Sequence, residues 1–475
     1  MELFANKESC CGCTACIFVC PHDAIKMNSD EEGFAYPKIE ESLCTECGLC
    51  KEVCSFNENY DTSENLQEPD IYAAKHVDKD VRMQSSSGGL FTAISDLVLH
   101  KNGVVYGVAL DENLIVRHER AVTNNERDRF KVSKYVQSDL SDIYEQVKKD
   151  IHDGKYVLFT GTPCQTSGLK SFLGNIDRVN KLLLTCDFVC RGVTSPMMWE
   201  EYKRFAEEEQ QSKINEYYFR TKFLGYANSG TQLSVYENGQ SDHTSIVSQI
   251  QRNLFVYSYI VRPSCHNCKY TNFNRPADIT LADFWGVEKS IPEFYDDTGV
   301  SLIIVNTEKG QKIFDDLVKR DIIEYRPSNK KDASVAQHNL KAPSTMHPKR
   351  NEFWSDYLSK GYLYAVKKYT FYSILDEIEE NTRLIMFGAG RGYSLIGLDS
   401  KIKDKIAFFI DNDPEKQKKG LCVNDIKYNV YSPKDALELL TKDDIIVVTS
   451  FAMDHGNSML KELASYGIDN KIVFK

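Results

Sequence analysis

Cys10-Cys11-Gly12-Cys13-Thr14-Ala15-Cys16-Ile17-Phe18-Val19-Cys20-Pro21 is answered, further along the chain, by Cys44-Thr45-Glu46-Cys47-Gly48-Leu49-Cys50-Lys51-Glu52-Val53-Cys54. Each copy sets three cysteines two residues apart and a fourth three residues later. Thiolates in such a triplet wrap one iron–sulfur cube, and the fourth reaches across to the other cluster. The spacing predicts two [4Fe-4S] clusters, one on Cys10, Cys13, Cys16 and Cys54 and one on Cys44, Cys47, Cys50 and Cys20. A structural zinc prefers Cys-x-x-Cys pairs separated by a long gap, not triplets. Disulfides belong with export, and Met1-Glu-Leu-Phe-Ala-Asn-Lys-Glu8 has no apolar signal region. Pro21 turns the chain away after Cys20, whereas Ser55 follows Cys54 and predicts a looser turn. Cys11 is surplus to both sets and reads as a bystander.

The 475 residues suggest about three domains. A composition 42% hydrophobic and 27% charged leaves ample material for buried cores. The net charge of −11 disfavours nucleic acid, whose phosphates need a basic face. It suits a protein that meets a redox partner such as ferredoxin or a reductase. No apolar run approaches the ~20 residues of a membrane span. A reducing, cytoplasmic setting follows as an expectation, with the fifteen cysteines serving as metal ligands.

Residues 1–60 form the cluster module, whose core is largely inorganic. Residues 61–70 are polar, contain Pro69 and read as a linker. A short strand starts at Ile71. Ser85-Ser86-Ser87-Gly88-Gly89 then runs into the helical pattern Leu90–Leu99, and small residues before a helix favour an anion such as a phosphate or flavin. Strands are expected at 103–110 and at Tyr156–Thr160. The second leads into Gly161-Thr162-Pro163-Cys164-Gln165, and strand ends of this kind are where open α/β sheets hold ligands. Leu182–Cys186 repeats the arrangement and leads to Cys190-Arg191-Gly192; Cys265-x-x-Cys268 follows. Four thiolates from these loops suit a third iron–sulfur cluster. A zinc on Cys265 and Cys268 or inert buried cysteines are the alternatives. Cys186 and Cys190 compete for one position, and strand geometry favours Cys190.

From residue 366 the character changes. Thr382–Phe387 runs as a strand into Gly388-Ala389-Gly390-Arg391-Gly392, and Asp411 closes a second strand about 20 residues on. This predicts a Rossmann-like unit over 366–475 with a nucleotide as its candidate ligand, although the third glycine comes one position early for G-x-G-x-x-G.

Ser86-Ser-Gly-Gly89, Ser133-Lys134-Tyr135, Gly161-Thr-Pro-Cys-Gln165, Cys190-x-Gly192, Ser264-Cys265-x-x-Cys268 with Tyr270, and Asp278-Ile-Thr-x-x-Asp283-Phe-Trp-Gly286 lie in order across roughly residues 70–350. In these motifs the middle of the chain resembles the coenzyme F(420)-reducing hydrogenase/dehydrogenase beta-subunit family, for which a ferredoxin module is a common companion. The resemblance implies a central α/β flavin domain over 61–365, behind an α+β bacterial-type ferredoxin module and ahead of the Rossmann-like parallel-sheet domain. It implies FAD beside a third [4Fe-4S] cluster on Cys164, Cys190, Cys265 and Cys268, with Ser87, Gly88, Gly89, Lys134, Thr162 and Gln165 as flavin contacts. Arg191 stands where many relatives have histidine. The C-terminal unit resembles small α/β domains attached to sugar-modifying enzymes. The main expectation is an iron–sulfur flavoprotein oxidoreductase acting on an organic substrate, with polysaccharide or sugar metabolism as one setting. The alternatives are an electron-input subunit of a deazaflavin-linked or hydrogenase-like complex, and a non-catalytic electron carrier.

Overall fold

The computed structural model describes residues 2–56, 60–223, 225–226, 230–397, 400–423, 426–450, 453–468 and 470–474. Its chain forms two compact units. One comprises Met1–Trp199, Tyr218–Gly230 and Val261–Thr345, the other Glu200–Tyr217, Thr231–Ile260 and Met346–Lys475.

The sequence repeat at the N-terminus is a structural repeat. Gly12 and Glu46, at matching places in the two copies, both take positive φ, as do Thr14 and Gly48. Left-handed backbone there bends each loop around its cysteines. Thr14 and Gly48 then each precede a single helical turn, Ala15–Phe18 and Leu49–Glu52. Glu46 and Thr14 adopt this conformation at a cost of order 1–2 kcal/mol, so the loop shape is imposed by what the loop must enclose. Strands β1 (Ile25–Ser29) and β2 (Ala35–Ile39) pair antiparallel between the copies. Ser55 is buried, and its carbonyl accepts the Tyr270 hydroxyl at 3.3 Å. That contact replaces the stiffness a proline would give.

An eight-stranded sheet forms the centre of the first unit. Its strands are β3 (Asn65–His76), β4 (Val104–Leu110), β5 (Val116–Ala121), β6 (Val157–Thr160) and β7 (Leu183–Phe188). The chain next makes β8 (Ile214–Thr221), β9 (Thr231–Tyr236) and β10 (Ser241–Asp242), which form a separate three-stranded sheet. It then returns with β11 (Ile279–Asp283), β12 (Ser301–Thr307) and β13 (Ile323–Pro327) to complete the order β13-β3-β12-β11-β7-β6-β4-β5. Four adjacent strands, β11, β7, β6 and β4, run parallel. Their buried runs, such as Val157-Leu158-Phe159, are continuously apolar because both faces are covered.

The expected linker at 61–70 is corrected here, since β3 already begins at Asn65 and spans twelve residues. Val305 of β12 pairs with Asp70 and Thr307 with Asn65, whereas β13 pairs only with residues 72–76. Residues 65–70 are therefore an edge on one side. Polar side chains and Pro69 are tolerated there, because proline lacks only a donor that has no ladder partner.

One face of the sheet takes in the N-terminal module. Cys11, Cys13, Ala15, Val53 and Phe56 share a buried core with Val104, Tyr106, Val157, Phe159, Leu169 and Tyr270. The other face is closed by the helix Leu90–His100, whose Leu90, Ile94, Leu97 and Val98 pack with Leu158, Leu184, Ile279 and Ile303.

In the second unit, β14 (Leu384–Phe387), β15 (Ile406–Ile410), β18 (Val430–Tyr431), β19 (Ile445–Val448) and β20 (Lys471–Val473) form a parallel sheet in the order β18-β15-β14-β19-β20. A small hairpin of β16 (Leu421–Val423) and β17 (Ile426–Tyr428) precedes β18. Leaving the hairpin aside, this is the doubly wound 3-2-1-4-5 arrangement that the glycine-rich turn predicts.

Candidate iron–sulfur centres

Three loops of the first unit bring cysteines together. The first N-terminal set surrounds a recess lined by Cys10, Cys13, Cys16 and Cys54 with Phe4, Met27 and Phe56. The second surrounds an apolar recess lined by Cys20, Cys44, Cys47 and Cys50 with His22, Ile25 and Ile39. Cys50 lines both recesses, standing between the two groups of cysteines. Cys47 is exposed, whereas Cys13 is buried against the sheet. The second set is thus the outer one.

The third grouping sits at the carboxyl ends of the parallel strands. After β6, the helix Pro163–Leu173 opens with Thr162 as its N-cap, and Cys164 lies in the first turn. Thr162 and Gln165 cap each other: the Gln165 N–H donates to the Thr162 hydroxyl at 3.4 Å, and the Thr162 N–H donates to Gln165 Oε1 at 3.0 Å. Pro163 at the first helical position suits this start. After β7, the chain reaches Cys190, and Cys265 and Cys268 lie in and just after the turn Pro263–Asn267. Cys164, Cys265 and Cys268 all lie near enough to Cys190 for a charge on any of them to push its thiol up. Cys186 points away, into the core with Leu158, Leu184 and Ile279.

Each of the four sulfurs also receives a backbone N–H. Gln165 supplies Cys164, Gly192 supplies Cys190, Val193 supplies Cys265 and Tyr270 supplies Cys268. Such bonds favour thiolate and are among the interactions that set cluster potentials. Burial works against the bare thiolates, pushing Cys268 up to about 11, Cys265 up to about 12 and Cys190 well above its ordinary value. Cys164 departs from the other three: the neighbouring Cys11 thiol, against the effect of burial, lowers it to about 7, and metal bound to the other three would release protons. Among the described residues no group of three or more such side chains is placed to hold a metal ion; four cysteine thiolates are the chemical donor set that a [4Fe-4S] group takes.

The frame of this site is polar and buried. Arg275 pairs with Asp187 at 3.1 Å, both inaccessible to solvent. Arg275 also donates to the carbonyls of Phe188 and Tyr270, tying the Cys190 loop to the Cys268 loop. Sequence reasoning passed over Arg275, Asp187 and Arg262, because an isolated charged residue carries no spacing signal. Cys11, read as a bystander, is buried in the core cluster that also holds Cys13 and against which Cys164 packs. It lies between the first N-terminal set and the third grouping.

The six flavin candidates have partners within the chain. The Ser87 hydroxyl donates to the Val300 carbonyl at 2.9 Å, and the Gly88 N–H donates to Ser301 at 2.9 Å. A Cβ on Gly88 would stand 2.7 Å from the Ala74 carbonyl, so glycine serves packing between β3 and β12. Gly89 caps the helix Leu90–His100 with φ +87°. Lys134 donates to the carbonyls of Arg129 and Lys131, each at 2.7 Å. Thr162 and Gln165 are committed to each other. The flavin expectation draws no open donor set from these residues, and no step is assigned to it. Asp283 is similarly engaged, accepting Arg220 at 2.6 Å and the Tyr226 hydroxyl at 3.2 Å. Arg191 is exposed although the surrounding protein depresses its pKa, as for a side chain lining a recess.

In the second unit, Asp411 accepts the Ala389 N–H at 2.8 Å and Lys416 at 2.9 Å. A Cβ on Gly388 or Gly392 would meet the Thr449 carbonyl at 2.7 or 2.6 Å. These residues close the turn on β19, and a short 3-10 turn rather than a long helix follows. The nucleotide expectation gains no support from this geometry.

Comparison with known proteins agrees with the cysteine architecture. Residues 154–331 match the family described as coenzyme F420 hydrogenase/dehydrogenase, in its model for the C terminus of the beta subunit, and residues 9–57 match the 4Fe-4S dicluster domain. No curated protein matches the chain. Among solved structures, a chain of the xenon-derivatised F420-reducing [NiFe] hydrogenase complex from Methanosarcina barkeri is similar, at 17% identity and a TM-score of 0.41, over 58% of this chain and 88% of that one. The two family-model matches agree with the resemblance read from the motifs: residues 9–57 match a dicluster domain and residues 154–331 the C-terminal model of the beta-subunit family, as in an iron–sulfur electron-transfer protein related to that family. Among the described residues no helix is long and apolar enough to cross a membrane.

Proposed function

We propose that this chain is an electron-input component of an oxidoreductase, with three cysteine sets forming one relay. The observation that carries the reading is the shared core in which Cys11 and Cys13 pack with Cys164, on a helix whose Gly168 lies directly against Cys13. It brings a ligand of the dicluster domain beside a ligand of the family domain. Bound [4Fe-4S] groups supply one-electron transfer at potentials from roughly −700 to +450 mV.

The outer set around Cys47 meets a soluble redox partner. Cys13 and Ala15, buried against the helix Pro163–Leu173, keep water from the inner set. Cys164, Cys190, Cys265 and Cys268 hold the third group at the strand ends, and the Arg275–Asp187 pair fixes the distance between their loops. The electron acceptor or donor beyond this point is a two-electron organic carrier of the deazaflavin type, free or held by a partner protein. The beta-subunit family supports this over a chain that acts alone on a sugar.

Anaerobically purified protein should contain about twelve irons, four per cluster. Cys265→Ser should retain about eight and lose one reduced-cluster signal in electron paramagnetic resonance. Iron content unchanged by that substitution would refute the third centre. Reduction of a deazaflavin by the isolated chain, with a chemical reductant, would show that the carrier site lies within it; activity only with an added partner would place the site outside.

A further inference from the structure

Arg262 is fully buried, although nothing in the relay above uses it. Its Nε donates to the Cys10 carbonyl at 3.0 Å, and one terminal nitrogen donates to the Ala35 carbonyl at 3.1 Å and lies 3.9 Å from Cys10 Sγ. The other terminal nitrogen donates to Gln137 Oε1 at 2.8 Å, and Gln137 in turn donates to the Cys11 carbonyl at 3.2 Å. The guanidinium lies 4.2 Å from the centre of the Tyr36 ring. On its other side, the Arg262 carbonyl accepts the Cys265 N–H at 3.0 Å, and the Arg262 N–H donates to the Val193 carbonyl at 3.0 Å. Val193 is the residue whose N–H reaches Cys265 Sγ. The guanidinium of Arg262 thus lies against Cys10 while the backbone of the same residue holds Cys265, members of two different ligand sets. No residue of the outer set, Cys20, Cys44, Cys47 and Cys50, shares in these contacts.

We propose that Arg262 is a positioning residue whose single buried charge raises the reduction potentials of the inner N-terminal centre and the third centre together. The inference rests on the relay proposed above. A cation near both centres stabilises the reduced, more negative form of each. Because one charge serves both, their potentials move in parallel and the step between them stays close to level. In that step one electron passes from one side to the other, one centre being oxidised by one and the other reduced by one, with no bond made and no proton moved. Arginine suits the place because its planar fork satisfies several acceptors at once and keeps its charge when buried.

The test is a potentiometric titration of the full-length, iron-loaded protein followed by electron paramagnetic resonance. The three signals are assigned beforehand with Cys265→Ser, Cys54→Ser and Cys47→Ser. In Arg262→Gln the inner and third signals should both move to lower potential. At a fixed potential the reduced-to-oxidised ratio of each should fall about tenfold, equivalent to about 59 mV for one electron. The outer signal should stay in place as the internal control. Movement of only one of the two, of all three equally, or of none with iron content intact would overturn the proposal. If Arg262→Gln loses iron, Arg262→Lys is read instead. Its shorter, localised ammonium draws the charge back from both sulfurs, so both signals should shift down by a lesser amount; a shift in one alone overturns the proposal. Failure of the relay itself reads differently, as iron that stays unchanged in Cys265→Ser.

Discussion

His118 shows how one buried side chain ties the third site to pH. Its ring is buried beside Phe159, and burial holds its pKa down at about 4, so it is neutral at physiological pH. Gln165 Nε2 donates to the Ser138 hydroxyl at 3.0 Å, that hydroxyl donates to His118 Nδ1 at 3.0 Å, and Nε2–H of the ring donates to the Thr160 carbonyl at 3.2 Å. This directed chain holds the turn that carries Cys164. Since the unfolded histidine titrates near its ordinary 6.5, the unfolded chain binds more protons between that value and about 4. The stabilisation is complete above pH 6.5 and is lost as pH falls toward 4, amounting to about 3 kcal/mol. Urea midpoints measured from pH 7 to pH 4 should fall less steeply in His118→Asn than in the parent chain. The residue scale was also where the sequence was hardest to read. Cysteine spacing is a local signal and was legible; Arg262, Arg275 and Cys11 act through partners far away in the chain, and no local pattern marks them.

At the scale of elements, the helix Pro163–Leu173 does two jobs. Its first turn presents Cys164, and its second approaches the inner cysteine loop so closely that a Cβ on Gly168 would stand 2.8 Å from Cys13 Sγ and 2.9 Å from Cys13 Cβ. Glycine within a helix costs roughly 1 kcal/mol against alanine, so helix propensity alone would favour Gly168→Ala. Overpacking of a closed contact costs about 1–3 kcal/mol and here meets a metal ligand. We expect Gly168→Ala to lower the thermal midpoint and to shed iron from the inner set before the third, as followed by iron content during controlled heating. The strands of the sheet were legible where burial on both faces makes apolar runs, as at Val157–Phe159. Residues 65–70 were not, because a strand edge open on one side is free to be polar. The serine–glycine run at 85–89 was read as a ligand loop for a related reason: glycine needed for close packing against β3 and β12 is indistinguishable in sequence from glycine needed by an anion.

At the scale of the molecule, the second unit is assembled from segments distant in the chain. Within it, Asn253 donates to the Leu395 carbonyl at 2.7 Å, Tyr257 to the Ser450 carbonyl at 2.9 Å, and Arg252 to Ser394 at 3.0 Å. Gly397 packs so tightly that an added Cβ would lie 2.6 Å from the Thr244 carbonyl. The change of character near residue 366 marks the start of the expected Rossmann-like unit, and residues 231–260 carry the other half of these contacts. A chain ending at residue 365 should therefore aggregate or express poorly, leaving Tyr257 and Asn253 without their acceptors, whereas iron binding by a refolded fraction would still report on the first unit. Size-exclusion chromatography of that truncation checks the expectation. The doubly wound order was legible from its glycine turn and its spaced apolar strands; the use of those glycines was not, because their close neighbour is Thr449, far along the chain.

The exposure of Cys47 has a consequence for handling in air. Dioxygen reaches a metal centre most easily where a ligand meets solvent, and Cys13 is buried against the sheet while Cys47 is exposed. Damage should thus proceed from the surface inward, the outermost centre bleaching while the deeper ones keep their brown colour. The exposed sulfur that makes contact with a partner possible also sets the shelf life of the protein on an aerobic bench.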